Sequence, residues 1–169
     1  MAVDFKTELL HIRPFSESDR VVMGEILTNG EIAKTYMLPD FASDVAVDRM
    51  FARFLELSQR DDRYVAGIYL GEELIGFLND VENNGKRIEL GYVITPGHWG
   101  NGYATQMLRG AVEDLFSRGY REVVAGAFEE NKASIRVMGK AGMTKVALEE
   151  DIDYRGASHH CLYYSVKRV

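Results

Sequence analysis

Apolar positions along the chain switch between a period of two and a period near 3.6, and the switches mark out its elements. Leu9 to Arg13 reads as a first strand closed by Pro14. Ser16 is placed to cap a helix carrying Val21, Val22, Ile26 and Leu27, with Gly30 as its stop. Glu31 to Phe41 has no clear period and reads as a loop or a broken helix. Ser43 caps a second helix whose apolar face is Val47, Met50, Phe51, Phe54 and Leu55. Tyr64 to Leu70 and Leu74 to Val81 form a hairpin around Gly71-Glu72-Glu73. Asn83-Asn84-Gly85 is a second hairpin turn, because an Asn-Gly pair accepts positive φ. It delivers the chain into Arg87 to Ile94, where Ile88, Leu90, Tyr92 and Ile94 alternate with Arg87, Glu89, Gly91 and Val93. Pro96 and Gly97 end that strand.

A helix with a stripe of Ala104, Met107, Leu108, Ala111, Val112, Leu115 and Phe116 follows, with Gly119 as its C-cap. Glu122 to Ala127 is the next strand, and a strand–helix–strand unit of this length implies a right-handed crossover to a parallel neighbour. Asn131 or a neighbour opens a last helix, which Gly142 ends. Thr144 to Leu148 and Cys161 to Val166 are closing strands joined by a polar loop. Antiparallel strands come first, then one parallel unit, then an antiparallel pair. The expected fold is α/β of the mixed, α+β kind: a mostly antiparallel sheet with one parallel pair, helices on its faces, and a single domain over residues 1–169.

The stretch Glu89 to Ala104, ELGYVITPGHWGNGYA, joins the central strand to a helix through Gly100-Asn101-Gly102. Glycines before a helix leave backbone N–H groups bare and allow close approach. The helix N-terminus adds partial positive charge, so this junction suits a phosphate or pyrophosphate. A dinucleotide fingerprint needs a third glycine or an alanine where Thr105 stands, and a leading βαβ unit that the chain lacks. A Walker A loop needs Gly-Lys-Ser or Gly-Lys-Thr, which does not follow. A tight strand-to-helix turn would need only one glycine.

Composition narrows the possibilities. A chain of 169 residues with a formal charge of -6 has no basic footprint for nucleic acid. Cys161 is the only cysteine, so no disulfide framework or thiolate metal cluster is expected, and no metal is called for. The opening MAVDFKTELL has early charges and no apolar core, unlike a signal peptide, and no apolar run approaches a membrane span. A cytoplasmic protein is the expectation.

Taken together, IELGYVITPGHWGNGYATQML, ENKASIRVMGKAGM and the opening TELLHIRPFSESD resemble the GNAT family of N-acetyltransferases, in the branch that includes the RimJ and RimL ribosomal-protein acetyltransferases. The resemblance spans nearly the whole chain. It implies a GNAT fold with a splayed parallel pair, and acetyl-CoA as co-substrate. The family's Gln/Arg-x-x-Gly-x-Gly/Ala signature becomes Trp99-Gly100-Asn101-Gly102-Tyr103-Ala104, with Trp99 in the place of the basic or amide residue. By similarity, the N–H groups from Gly100 to Ala104 hold the pyrophosphate and Thr105 adds a hydroxyl. The central strand at Tyr92, Val93 and Ile94 offers main-chain hydrogen bonds to the pantetheine. Asn131 matches the family's pantetheine-binding asparagine, and its other reading is a helix cap. By similarity, Ser134, one helical turn on, would face the sulfur and hydrogen-bond the departing thiolate, while the position matching the family's tyrosine acid is Met138 here.

Acyl transfer to an amine needs a proton acceptor, oxyanion donors and a neutralised thiolate. The Tyr92 N–H is the oxyanion candidate. Glu89, the one acid in an otherwise apolar central strand, is the candidate base, with burial raising its pKa; the alternative is a carboxylate paired with Arg87. Cys161 reads as a core residue, not an acyl-accepting nucleophile. His159-His160 read as a loop pair; His98, in the turn before the glycine loop, either touches cofactor or substrate or is simply an exposed turn residue. Lys132, Arg136 and Lys140 either steer nucleotide phosphates or form a solvated face.

By similarity, the acceptor site draws on Tyr36, Met37 and Phe41 and on the acidic run Glu149, Glu150, Asp151 and Asp153, which would attract a protonated amine or merely solubilise a loop. The expected activity is direct transfer, in a ternary complex, to a primary amine: a peptide N-terminus or a small-molecule amine. The alternative is a non-catalytic acyl-CoA-binding or regulatory module. A homodimer is common in the family.

Overall fold

The computed structural model describes residues 1–169 and forms a mixed α/β fold. Its eight strands make a mostly antiparallel sheet with one parallel pair, flanked by helices, in the order β1 (Phe5–Lys6), β2 (Leu10–Arg13), β3 (Ala66–Leu70), β4 (Glu73–Asn83), β5 (Arg87–Ile94), β6 (Glu122–Phe128), β8 (Ala157–Lys167), β7 (Thr144–Tyr154). The residues divide into two compact units, Met1–Asn79 with Tyr92–Tyr103, and Asp80–Gly91 with Ala104–Val169.

In the first unit, β1 (Phe5–Lys6), β2 (Leu10–Arg13), β3 (Ala66–Leu70) and the start of β4 (Glu73–Asn83) are successive antiparallel neighbours. The pair β3–β4 turns at Gly71, whose φ of 61° suits a residue without a Cβ. The helices are α1 (Arg20–Leu27), α2 (Gly30–Ala33) and α3 (Asp44–Ser58). Ser16 precedes a 3-10 turn at Glu17–Asp19, and its amide donates to Asp19 Oδ2 at 2.9 Å before α1 begins. Ser43 caps α3 as expected, accepting from the Ala46 amide at 3.3 Å.

Two expectations for this unit are corrected. Gly30 does not stop a helix: Asn29 accepts from the amides of Glu31 and Ile32 and starts α2 at Gly30. Val21 is exposed and Val22 only partly buried; Ile26 and Leu27 are buried as expected, and Met23 joins them. These residues meet Val47, Phe51, Phe54 and Leu57 of α3 and Phe77 of β4 in one core, with Phe54 and Phe77 edge-on at 4.9 Å. Each such side chain removed from water contributes about 1.5–3 kcal/mol.

In the second unit, the Asn83-Asn84-Gly85 turn is built as its residues predict. Asn84 Oδ1 accepts the amides of Lys86 and Arg87, and Gly85 has φ 85°. The first half of β5 (Arg87–Ile94) pairs parallel with β6 (Glu122–Phe128), from Arg87 opposite Glu122 to Leu90 opposite Ala125. The crossover is α4 (Tyr103–Ser117), which buries Met107, Leu108, Ala111, Val112 and Leu115. Gly119, at φ 99°, lets the Tyr120 amide return to the Leu115 carbonyl and close the helix. Asn131 caps α5 (Lys132–Lys140).

The closing strands are much longer than expected. β7 (Thr144–Tyr154) and β8 (Ala157–Lys167) form one hairpin turning at Arg155-Gly156, and the polar loop is in fact strand. β7 is the last strand of the sheet and mostly exposed, so its polar sequence carries no buried face to betray a strand. No helix is long and apolar enough to cross a membrane.

Candidate active site

The glycine-rich junction has the backbone its sequence requires. After β5, a 3-10 turn at Pro96–His98 leads to Trp99, whose indole N–H donates to the Ile94 carbonyl at 2.6 Å. Gly100 and Gly102 have φ of 80° and 77°, the left-handed region that favours glycine. The Asn101 side-chain amide donates to the carbonyls of His98 and Trp99 at 3.2 and 3.3 Å and braces the loop. A Cβ built on Gly100 or Gly102 meets no atom within 4 Å, so the space over this backbone is open. The first amides of α4, from Tyr103 through Ala104 and Thr105, have no partner inside the helix, as at any helix start. An open loop of bare amides at a helix N-terminus fits a pyrophosphate.

His98 is not simply exposed: its Nδ1 lies 2.7 Å from Thr95 Oγ1 and its Nε2 3.6 Å from Glu73. On β5, Val93 and Ile94 are buried while Tyr92 is half-buried. In the same unit, Tyr36 donates to Asn79 Oδ1 at 2.9 Å. Burial, partly opposed by that bond, pushes its hydroxyl up to about 12. Met37 is exposed, and Phe41 packs against the core of that unit.

In the second unit, Glu89 is half-buried on β5, level with Val124 of β6. Its carboxyl is pushed up to about 6, first by burial, then by the negative charge of Glu82; Arg87 opposes this and Glu150 adds to it. The guanidinium of Arg87 sits 3.2 Å from Glu122 and 3.7 Å from Glu82, so its charge is shared with those carboxylates. A carboxyl titrating near 6 is ionised at neutral pH yet more basic than an ordinary glutamate, which suits a general base.

Asn131 does cap its helix: its Oδ1 accepts the Ser134 amide at 3.2 Å, and that bond leaves the side-chain NH₂ uncommitted to the cap. Met138 is fully buried in the core. Lys132, Arg136 and Lys140 are exposed along one side of α5. Cys161 is buried, as expected, and burial pushes its thiol up, away from a reactive thiolate.

The two histidines are corrected from loop residues to strand residues of β8. His159 Nδ1 meets Glu130 at 2.5 Å and its ring stacks on Phe128. His160 bridges Asp151 at 2.8 Å and Glu149 at 2.6 Å, and the hydrogen bonds to Asp151 and then Glu149 raise its pKa. The acidic run is split by the strand alternation: Glu149 and Asp151 lie with His160 on one face, while Glu150 lies on the other, where Tyr163 donates to its Oε2 at 2.7 Å. The sequence did not single out Tyr163 or Gly126, and the only signal for them is their register on β8 and β6.

A family profile described as "Acetyltransferase (GNAT) domain" matches residues 10–144. The uncharacterized N-acetyltransferase YoaA of Bacillus subtilis is 28% identical over 167 residues, covering 95% of this chain and 94% of its own length. Among solved structures, the RimL ribosomal L7/L12 alpha-N-protein acetyltransferase in complex with coenzyme A superposes with a TM-score of 0.83 at 20% identity, over 95% of both chains. Spermidine N-acetyltransferase from Vibrio cholerae, in complex with CoA and spermine, superposes with a TM-score of 0.80 at 16% identity, over 94% of this chain and 95% of that one. These structures establish a shared fold. With the profile covering residues 10–144 of the 169, the chain belongs to the GNAT acetyltransferase family and is an acetyl-CoA-dependent N-acetyltransferase.

Proposed function

We propose that residues 1–169 work as one acetyltransferase domain, of the RimJ/RimL-like branch, that moves an acetyl group directly to a primary amine. The observation that carries the chemistry is Glu89: a half-buried carboxyl on the central strand, pushed up to about 6. Bound acetyl-CoA supplies an activated thioester. The N–H groups of Gly100, Asn101, Gly102, Tyr103 and Ala104 hold its pyrophosphate, with Trp99 and Thr105 flanking them. The main chain of Tyr92, Val93 and Ile94 binds its pantetheine arm. Glu89 takes the proton from the attacking amine, through a water where the amine does not reach it. The Tyr92 N–H donates to the oxyanion. The Asn131 side chain binds near the thioester end, and the Ser134 hydroxyl hydrogen-bonds the thiolate as it leaves. A thiolate is a good leaving group, so this needs no strong acid. With Cys161 buried and its thiol pushed up, no acyl-accepting nucleophile competes with direct attack.

The acceptor is a peptide N-terminus or a small-molecule amine such as a polyamine. RimL and the spermidine enzyme, by their names, represent these two classes. A cytoplasmic homodimer is part of the same reading. The test is free-thiol release from acetyl-CoA against peptides, polyamines and aminoglycosides, with calorimetric acetyl-CoA binding alongside. Binding plus release with one acceptor class supports the proposal and names the substrate. Binding with no release from any acceptor favours a non-catalytic acyl-CoA module, for which the burial of Met138 at the family's tyrosine position is the supporting observation.

A further inference from the structure

We infer that Tyr163 is a positioning residue for acetyl transfer: its hydroxyl holds the Glu150 carboxylate on the sheet face that carries Glu89. This rests on the reading of Glu89 as the base.

Three ladders place these groups on one face. Glu89 is level with Val124 across the parallel pair, Val124 with Ser165, and Gly126 with Tyr163. Paired residues share a face, and so do residues two apart on a strand. Cys161 and Glu150, opposite each other on β8 and β7, belong to that face too.

Tyr163 is seated by a missing side chain. A Cβ on Gly126 would stand 2.8 Å from its Cε1 and 3.0 Å from its Cδ1, so only glycine leaves room for the ring there. Cys161, Val124 and Phe128 pack with it in one apolar cluster. The ring is therefore fixed, and its O–H donates to Glu150 Oε2 at 2.7 Å. Burial first, and that bond second, push the hydroxyl well above its usual range, so Tyr163 stays a proton donor at every working pH.

The anchored carboxylate has an electrostatic consequence for Glu89. The titratable groups facing Glu89 are Glu82 from β4, Arg87 from β5, Glu122 from β6 beside Arg87, Glu150 from β7, and Cys161 and Tyr163 from β8. Glu150 is a long, flexible side chain on a mostly exposed strand, and without an anchor its charge would turn toward water and be screened. Held by Tyr163, it opposes ionisation of Glu89, adding a smaller push to the larger ones from burial and Glu82.

The test is the titration midpoint of the Glu89 carboxyl, followed by carbon-13 NMR of glutamate-labelled free protein, together with the acid limb of kcat/KM. Wild type is compared with Tyr163→Phe, Glu150→Gln and the double variant. Tyr163→Phe keeps the ring over Gly126, and Glu150→Gln gives a second route should the first fold poorly. The expected result is a lower midpoint in each single variant, no further shift in the double variant, and a KM for acetyl-CoA unchanged within about twofold. A Glu89 midpoint that stays at the wild-type value in both single variants overturns the positioning role. Wild-type turnover in Glu89→Gln overturns the base assignment itself, so the two ideas fail separately.

Discussion

The carbonyl oxygen of Val93 lies so close over Gly76 that a Cβ built there would meet it at 2.0 Å. The second half of β5 is thus pressed onto β4, and the Thr95 amide continues the contact with a 2.8 Å bond to the Ile75 carbonyl. Gly76 is needed for space, not for φ: it is absent from the glycines of positive φ. The segment Tyr92–Ile94, to which the pantetheine is assigned, takes its position from this contact.

Gly76→Ala therefore has to displace backbone, which cannot move as a side-chain tip can. The expected cost is about 2–4 kcal/mol of unfolding free energy, as for overpacking against a rigid neighbour. Urea denaturation of the variant measures it. Stability within about half a kcal/mol of wild type would mean that β5 is not held this closely.

Glu89→Gln removes the proposed proton acceptor and keeps shape and hydrogen-bonding reach. Turnover should fall by roughly 10²- to 10⁴-fold while acetyl-CoA affinity stays within about twofold. In wild type the base works only when ionised, so activity should disappear as pH falls through about 6. Equal losses in turnover and cofactor binding would count against Glu89 as the base.

What the sequence disclosed follows physical locality. Gly85 in its Asn-Gly pair and Gly119 at a helix end announce left-handed backbone by themselves, and each has it; Gly100 and Gly102, legible as a loop that bares its amides, turn out to have it too. The parallel pair was legible because a strand, an amphipathic helix and a strand have one favoured handedness. The β7–β8 hairpin was not, for two reasons. Its edge strand spends its alternation on charges, and its turn puts Arg155 at φ 49°, where Asn or Gly would have signalled it. The Tyr163–Glu150 bond was hidden further, since it depends on a register that shifts between Lys145 and Glu149. β1, two residues long, is too short for any period to show. Asn131 taken alone reads equally well as cap or ligand, and its Oδ1 is a cap.

Gly102→Ala separates strain from binding. Its φ of 77° costs an alanine about 1–2 kcal/mol, and no neighbour within 4 Å adds a clash. Stability should drop by that amount alone. The new methyl enters the open space over the loop proposed to hold the pyrophosphate, so on that proposal calorimetry should find acetyl-CoA affinity weakened by about tenfold or more. A destabilised variant with undiminished affinity would remove this loop from the cofactor site.

The hairpin tip offers a gain in stability. Arg155 and Gly156 sit at φ 49° and 79°, the two positive values of a type I′ turn. Asn adopts the first position more easily than Arg does. Arg155→Asn gives up a guanidinium 5.4 Å from the Tyr154 ring, a weak contact at an exposed site. The expected net is about 0.5 kcal/mol of stabilisation with turnover unchanged, read from paired melting curves and thiol-release assays. A lower melting temperature would show that the contacts Arg155 makes outweigh the backbone term.

The base itself should carry a cost in stability that depends on pH. The Glu89 carboxyl has an ordinary value of 4.5 unfolded and about 6 folded, so between these values the folded state binds more protons. Stability contributed through this group is present below 4.5 and is lost as pH rises through about 6. At pH 8 the fold therefore bears the desolvation of an ionised carboxylate. Discounted for its partial exposure to solvent, that amounts to about 1 kcal/mol. Glutamine has no charge to bury, so Glu89→Gln should be the more stable protein at pH 8 by about this amount and should lose the advantage by pH 4. Paired denaturation curves at the two pH values measure the difference. An advantage that did not change with pH would assign the gain to packing and would sink the view of Glu89 as a carboxylate held at the expense of the fold.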